Sequence, residues 1–414
     1  MTKIKLETKF DIADVLANLS SIVIREGERI AWSSQELERS KIELIYGLQF
    51  KPKVEDYIKD GAIWHSINEC ARKNDFSQKT FSRFMIFYVN SHQEKKKQRY
   101  NAVCQINSRY NQVGPLKINT PIGVVHITDG INKKDHAILT KRSPDDLKQM
   151  GFHDSHQFIR CAVDSVDDRT AVNLAHDRML FALGLLNMYF RGFGVSIRSG
   201  FPSVPIGQYL ISSSILIVDR KNLKEGAYFI NGEYPDRWRD SFTVKFHQKV
   251  DKFEKFSEKF SKSVKKLDYS KNLIDAVILF QRGLEATSID IALLRFWTGI
   301  EILCSKDSRE PAQNAVDRAS SNFRDSKRAK IRLEFMQEYR NNIVHKGRAS
   351  DYALLCAQWG SIYLAELIMI CVFNRHFIKN KDTLLNYMSL PKDEVKIKKS
   401  IELLKKRLRV VAGP

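Results

Sequence analysis

Glu338-Tyr339-Arg340-Asn341-Asn342-Ile343-Val344-His345-Lys346-Gly347 closes a helical pattern and opens a turn. Upstream, Ile331, Leu333, Phe335, Met336 and Tyr339 fall at helical spacing, which predicts a helix over 329–342. Gly347 is a helix stop, and Ser350 or Asp351 can cap the next helix, expected over 350–373. Arg340 therefore belongs to a last helical turn, with His345 at or beyond its end. On a straight helix positions five apart lie about 140° from each other around the axis, at about 100° per residue. A helix end or a local bend between them is needed to bring the two side chains together.

The helical pattern extends outward from this stretch. Further helices are expected over 244–266, 272–284, 288–304, 311–323 and 392–409. The first 240 residues read differently. Strands are expected over 3–10, 122–127, 158–166, 213–218 and 227–230, and a helix over 11–19. Asp167 and Asp168 are N-cap candidates for a long helix over 169–190, and the glycines and prolines of 191–207 mark a loop. The expected fold class is α+β overall. It comprises a mixed α/β domain over 1–240 and an all-α domain over 241–414.

Composition narrows the function classes. In 414 residues, 68 Lys and Arg stand against 48 Asp and Glu, a net charge of +20, so the surface attracts polyanions. Nucleic acid is the first candidate partner, an anionic protein surface is the alternative, and charge that serves solubility alone is the plain reading. Basic clusters occur at Lys95-Lys96-Lys97, over 327–332 and over 398–407. The last lies on an amphipathic helix whose apolar side is Val395, Ile397, Ile401, Leu404 and Leu408. The six cysteines form no CxxC pair and no disulfide framework, and the charged first residues lack an apolar signal core, so a reducing cytoplasmic location is expected. The apolar run 354–373 is long enough to span a bilayer, but Gln358, Ser361 and Glu366 in its middle make it a core helix. His153 and His156 are half of a metal site that no further ligand completes, and the glycines of 191–207 match no nucleotide-binding loop. Neither a metal nor a cofactor is expected.

The Arg–His pair suits one chemistry. RNA carries its own nucleophile, the 2′-OH. Cleavage there needs proton transfer and charge neutralisation at phosphorus. Histidine moves protons near neutral pH, and arginine grips phosphate oxygens with a planar, permanently charged fork. Asn341 can hold a phosphate or orient a neighbour, and Lys346 and Arg348 can reach RNA phosphates. The alternative for each is structural: His345 as a helix C-terminal cap, Arg340 as an ion-paired helix-end residue, and the two cations as solvated loop charges.

Arg340-Asn341-x-x-x-His345 resembles the Arg-polar-x(3)-His motif of HEPN domains, and the longer aromatic-Arg-Asn-Asn-Ile-Val-His-Lys-Gly string is most similar to their Apea-like branch. Leu294-Arg295-Phe296-Trp297-Thr298-Gly299-Ile300-Glu301-Ile302-Leu303 resembles the upstream helix of that branch, and Ala315 to Ala319 sits where a further family helix is expected. The resemblance covers about 270–375.

It implies an α-helical bundle acting as a metal-independent endoribonuclease that leaves a 2′,3′-cyclic phosphate. Arg340, Asn341 and His345 would be catalytic, and Glu301 would support Arg340 or form a separate structural ion pair. It further implies a homodimer or higher oligomer whose motifs face one cleft, RNA as substrate with tRNA among the candidates, and no membrane. The biological setting would be antiphage defence, abortive infection or a toxin, with a phage-derived trigger. Members lacking activity serve as nucleic-acid or protein-binding modules, and this is the alternative function.

Overall fold

The computed structural model describes residues 5–26, 29–32, 34–52, 54, 56–94, 96–109, 115–130, 156–190, 206–207, 209–212, 214–219, 224–230, 250–307, 309–346, 352–373, 378–391 and 393–411. Of these, 65% are helical and 17% are in strands, an α+β composition. Two compact units divide the chain, Met1–Gln98 with Ser165–Thr170, and Arg99–Asp164 with Ala171–Pro414.

The first unit holds strands β1 (Lys5–Thr8), β2 (Val23–Glu26), β3 (Arg29–Trp32) and β4 (Leu48–Lys51), and helices α1 (Ala13–Ile22), α2 (Ser34–Gly47), α3 (Asp56–Lys73) and α4 (Gln78–Glu94). β1 pairs antiparallel with β4, and β2 with β3. Two short ribbons cannot bury a face by themselves. The core is helical instead, built on Leu16, Leu19, Leu44, Ile63, Ile67, Phe81 and Met85, all fully buried or nearly so.

The second unit contains a six-stranded sheet of β5 (Gln98–Arg109), β6 (Leu116–Thr120), β7 (Gly123–Thr128), β8 (His156–Ser165), β9 (Ser214–Asp219) and β10 (Lys224–Ile230). Their order across the sheet is β10-β9-β5-β8-β7-β6. β8 alternates buried residues with partly exposed ones (Gln157, Ile159, Cys161, Val163 inward), as a strand with one covered face must. The long helix α5 (Asp168–Phe190) begins where expected: Thr170 donates its backbone N–H to Asp167 Oδ1 at 2.7 Å. Eight helices follow: α6 (Val250–Val264), α7 (Ser270–Leu284), α8 (Ile289–Cys304), α9 (Ala312–Ser321), α10 (Ser326–Lys346), α11 (Ala353–Val372), α12 (Lys381–Met388) and α13 (Glu394–Val411).

The sheet and these helices share one hydrophobic core. It runs from Ile106, Ile127 and Ile159 through Phe181, Leu183 and Leu186 of α5 to Phe260, Phe296, Trp297, Leu364 and Ile368. The chain therefore does not part at 240/241, where the change from mixed to helical pattern suggested. A change of local periodicity marks a change of secondary structure, and apolar faces from both sides of it are buried against each other.

Glycine sets two of the closest helix approaches. A Cβ on Gly299 of α8 would lie 2.6 Å from Leu364 Cδ2 of α11, and one on Gly360 would lie 3.0 Å from Phe296 Cβ and 3.2 Å from Met336 Cε. Thus α11 packs directly onto α8 and α10. It is long and apolar enough to cross a membrane by length and composition, but 67% of its apolar window is buried inside the protein, in keeping with its reading as a core helix. All six cysteines are free and buried, and burial pushes the Cys70, Cys161 and Cys304 thiols up to about 12, so they are poor nucleophiles.

Candidate active site

Asp325 starts α10, accepting the backbone N–H of Arg328 on Oδ1 at 3.0 Å. Ala329, Leu333, Met336 and Tyr339 form its buried face, with Ile343 packed at the margin of the core. The next helical positions, Arg340 and Asn341, lie half-buried beside that face. Arg340 Nη1 donates to Asn341 Oδ1 at 3.0 Å. Among the described residues no carboxylate forms an ion pair with Arg340. The guanidinium is anchored at one corner by a neutral amide, and its charge is not neutralised within the described part of the molecule.

Three expectations meet a different geometry. First, α10 does not end near Asn342 but continues through His345 to Lys346. No helix end falls between Arg340 and His345, so their backbone positions stay about 140° apart around one axis and about 7.5 Å apart along it. The reason is visible in the packing: Tyr339 and Ile343 continue the core-facing stripe past Asn342. Second, Glu301 does not pair with Arg340, and it enters no side-chain ion pair among the described residues. It sits half-buried in the last turns of α8, where its carbonyl accepts the N–H of Ser305 at 2.8 Å. Arg340 turns instead to its own neighbour, Asn341. Third, the basic cluster at 327–332 is largely engaged. Lys330 pairs with Asp317 at 2.8 Å and Glu334 at 3.8 Å, Arg328 pairs with Asp325 at 3.5 Å, and the Arg332 guanidinium lies over the Trp359 ring at 4.9 Å. The side chains of His345 and Lys346, and all of Arg348, lie outside the described residues. So does His153.

One polar constellation was not legible in the sequence. Arg318 of α9 is 15% exposed and pairs with Glu310 at 2.8 Å, donates to the Cys304 carbonyl at 2.9 Å and reaches Ser389 Oγ at 3.1 Å. The hydrogen bond from Arg318 pulls the Glu310 carboxyl down to about 2. This joint ties together the end of α8, the turn before α9 and the end of α12. Its partners are spread from 304 to 389, and no local pattern announces them. Beside it lies a groove of about 520 Å³ lined by Asn314, Asp317, Ser321, Lys327, Lys330 and Leu390, among others. It opens near the start of α10, about 20 Å along the helix from Arg340. The groove and the Arg340 motif are therefore separate features.

Among the described residues, no group of three or more His, Cys, Asp or Glu is placed to hold a metal ion. The chain matches no known protein-family model, no curated protein and no solved structure.

Proposed function

We propose that this protein is a metal-independent endoribonuclease of HEPN type, whose active site is built on the C-terminal turns of α10. The observation that carries this reading is Arg340: half-buried, held by Asn341 and without an ion-pair partner among the described residues, five positions before a histidine. An arginine held so is suited to take a phosphate diester, and the +20 net charge favours RNA as its source.

The reaction needs two proton transfers. The 2′-OH loses its proton as its oxygen attacks phosphorus, and the departing 5′-oxygen gains one. The products are a 2′,3′-cyclic phosphate and a 5′-hydroxyl. Arg340 neutralises the non-bridging oxygens as charge builds in the transition state. His345 takes up or supplies a proton. One chain offers one such histidine in this motif, and the two motif positions diverge around a single helix. A homodimer supplies both histidines and lets Arg340 of one copy meet His345 of the other. Asn341 positions Arg340, and Lys346 and Arg348 contact flanking phosphates. A cytoplasmic antiphage or toxin role, with tRNA among the substrates and a phage-derived trigger acting through the N-terminal part, completes the proposal.

The divergence of positions 340 and 345 along an unbroken helix also favours a second reading, a non-catalytic HEPN module that binds nucleic acid or protein. Wild type and His345→Ala, incubated with tRNA and total RNA in EDTA, separate the two. Cleavage by wild type alone, with cyclic phosphate termini, is the expected result. RNA binding without cleavage by either, persisting after removal of residues 1–98, supports the binding module. Equal cleavage by both overturns the assignment of His345.

A further inference from the structure

The last described helix, α13, shows an apolar seam to solvent. Ile397, Ile401, Leu404 and Leu408 are 37%, 46%, 62% and 66% exposed. Their spacing of four, three and four residues is that of the d and a positions of a heptad repeat. They span about 60° of the helix circumference, narrower than the roughly 100° apolar face of a helix that lies on a domain or a bilayer. The helix is anchored at its start: α12 sinks Leu384, Leu385 and Met388 into the protein, and Asp393 caps α13 through the N–H groups of Val395 and Lys396 at 2.8 and 3.1 Å. Its first turn is thus capped, a few residues past the buried α12, while its seam is exposed.

We propose that α13 is a docking helix for an acidic amphipathic helix of a partner protein, paired as a short coiled coil. Charge selects this occupant. Lys398 and Lys405 border the seam on one side, and Lys396 and Arg407 on the other, by helical position. Residues 394–408 hold six basic side chains against two acidic ones, and Glu394 is already paired with Lys398 at 2.7 Å. A second copy of α13 would set like charge against like at the ~10 Å separation of packed helices, which is within the Debye length at ~0.1 M salt. A bilayer would want a broader apolar face and interfacial aromatics, and 394–408 contains no Trp, Tyr or Phe. RNA offers phosphate to the lysines but nothing to a stripe of Ile and Leu. A partner helix with Ile or Leu at its seam and Glu along its flanks satisfies both features. The helix is about 27 Å long, and pairing buries its exposed seam along that length.

The test uses the full chain and a synthetic peptide of about four heptads with Ile and Leu at a and d and Glu at e and g, beside a twin with Lys at e and g. The acidic peptide is expected to bind at least about tenfold more tightly than its twin, and to weaken as salt rises. Leu404→Asp should cut that affinity by about tenfold or more, as a charge in a buried seam does. Leu403→Asp, on the opposite side and itself 65% exposed, should leave it within about twofold. Equal binding of both peptides, or equal effects of the two substitutions, overturns the proposal. So does a Leu404-dependent self-association in sedimentation, which makes the occupant a second copy. Leu404-dependent binding to phosphatidylglycerol vesicles without peptide binding makes it a membrane.

Discussion

The second unit contains two kinds of polar cluster, and they differ in what satisfies them. Where α5 and α7 meet, Asn187 and Gln281 are fully buried and hydrogen-bonded to each other at 2.8 Å. Asn187 also holds the backbone of Tyr209 at both N–H and carbonyl, and Gln281 donates to Tyr209 O at 2.9 Å and to Glu285 Oε1 at 2.7 Å. Asn107 accepts the N–H of Leu210 at 2.7 Å. These groups clamp the 209–211 segment against the core. Near the end of α10 the Arg340, Asn341 and Asn342 side chains are half-buried, and Arg340 has a single amide contact among the described residues. A buried network with every partner present specifies structure, and a held cation without a neutralising partner is available to a ligand.

Mutations sharpen this contrast, and the largest effect is expected where structure is least invested. Arg340→Ala should lower RNA cleavage by about 10²–10⁴-fold. Its melting curve should match that of wild type within about 0.5 kcal/mol, because no ion pair or core contact is lost. A variant that loses activity only by unfolding would make Arg340 structural.

Gln281→Ala should do the opposite. It leaves Glu285 and Asn187 short of partners and opens a cavity, costing about 2–4 kcal/mol in denaturant unfolding. Gly299→Ala is expected to cost about 1–3 kcal/mol, because its methyl would meet Leu364 and force α8 from α11. A neutral Gly299→Ala would mean that Leu364 simply turns aside.

Acid should act on the structured side of the comparison. Burial, and then Arg282, push the His176 imidazole down to about 4 from its ordinary 6.5. The unfolded chain takes up that proton at a higher pH than the folded one does. Stability should therefore fall as pH drops from about 6.5 towards 4. Glu310, held at about 2 by Arg318, adds a second loss as pH falls below its ordinary 4.5. In thermal scans between pH 7.5 and 4, His176→Gln should flatten the upper part of this decline, and an unchanged slope would remove His176 as its source. The smallest effect is expected for Lys330→Ala. Its pairs with Asp317 and Glu334 are nearly half exposed, so the stability change should stay below about 1 kcal/mol.

Much of the fold was legible because its signals are local. The periodicity of α7 to α11 gave each helix to within a few residues, α6 lies within the expected 244–266, of which 244–249 are outside the described residues, and Asp167 marked the start of α5. The three helices α2 to α4 and the strands β2 to β6 went unread: the helices mix apolar residues with charge, and four of the five strands are only four or five residues long. The pattern over 392–409 found α13, and α12 at Lys381–Met388, an eight-residue helix too short to show a period, was missed. The end of α10 was placed too early, because the apolar pattern was followed only to Tyr339, while Ile343 keeps the helix against the core for one more turn. At the candidate site, residue identities were legible, but the direction of Arg340 was not: Glu301 is a plausible partner by type, and Asn341 is the one in contact.

By itself, the sequence determined the net charge, the helical character of 250–411, the Arg340-to-His345 spacing and the amphipathic pattern of α13. These depend on side-chain chemistry and on a period of 3.6 residues, which each segment carries alone. Only the tertiary structure decided that the sheet and the helices bury one core, that Lys330 pairs with Asp317 and Glu334, and that the α13 seam is exposed. Burial and ion pairing depend on residues far apart in the chain, and their meeting is a property of the packed molecule.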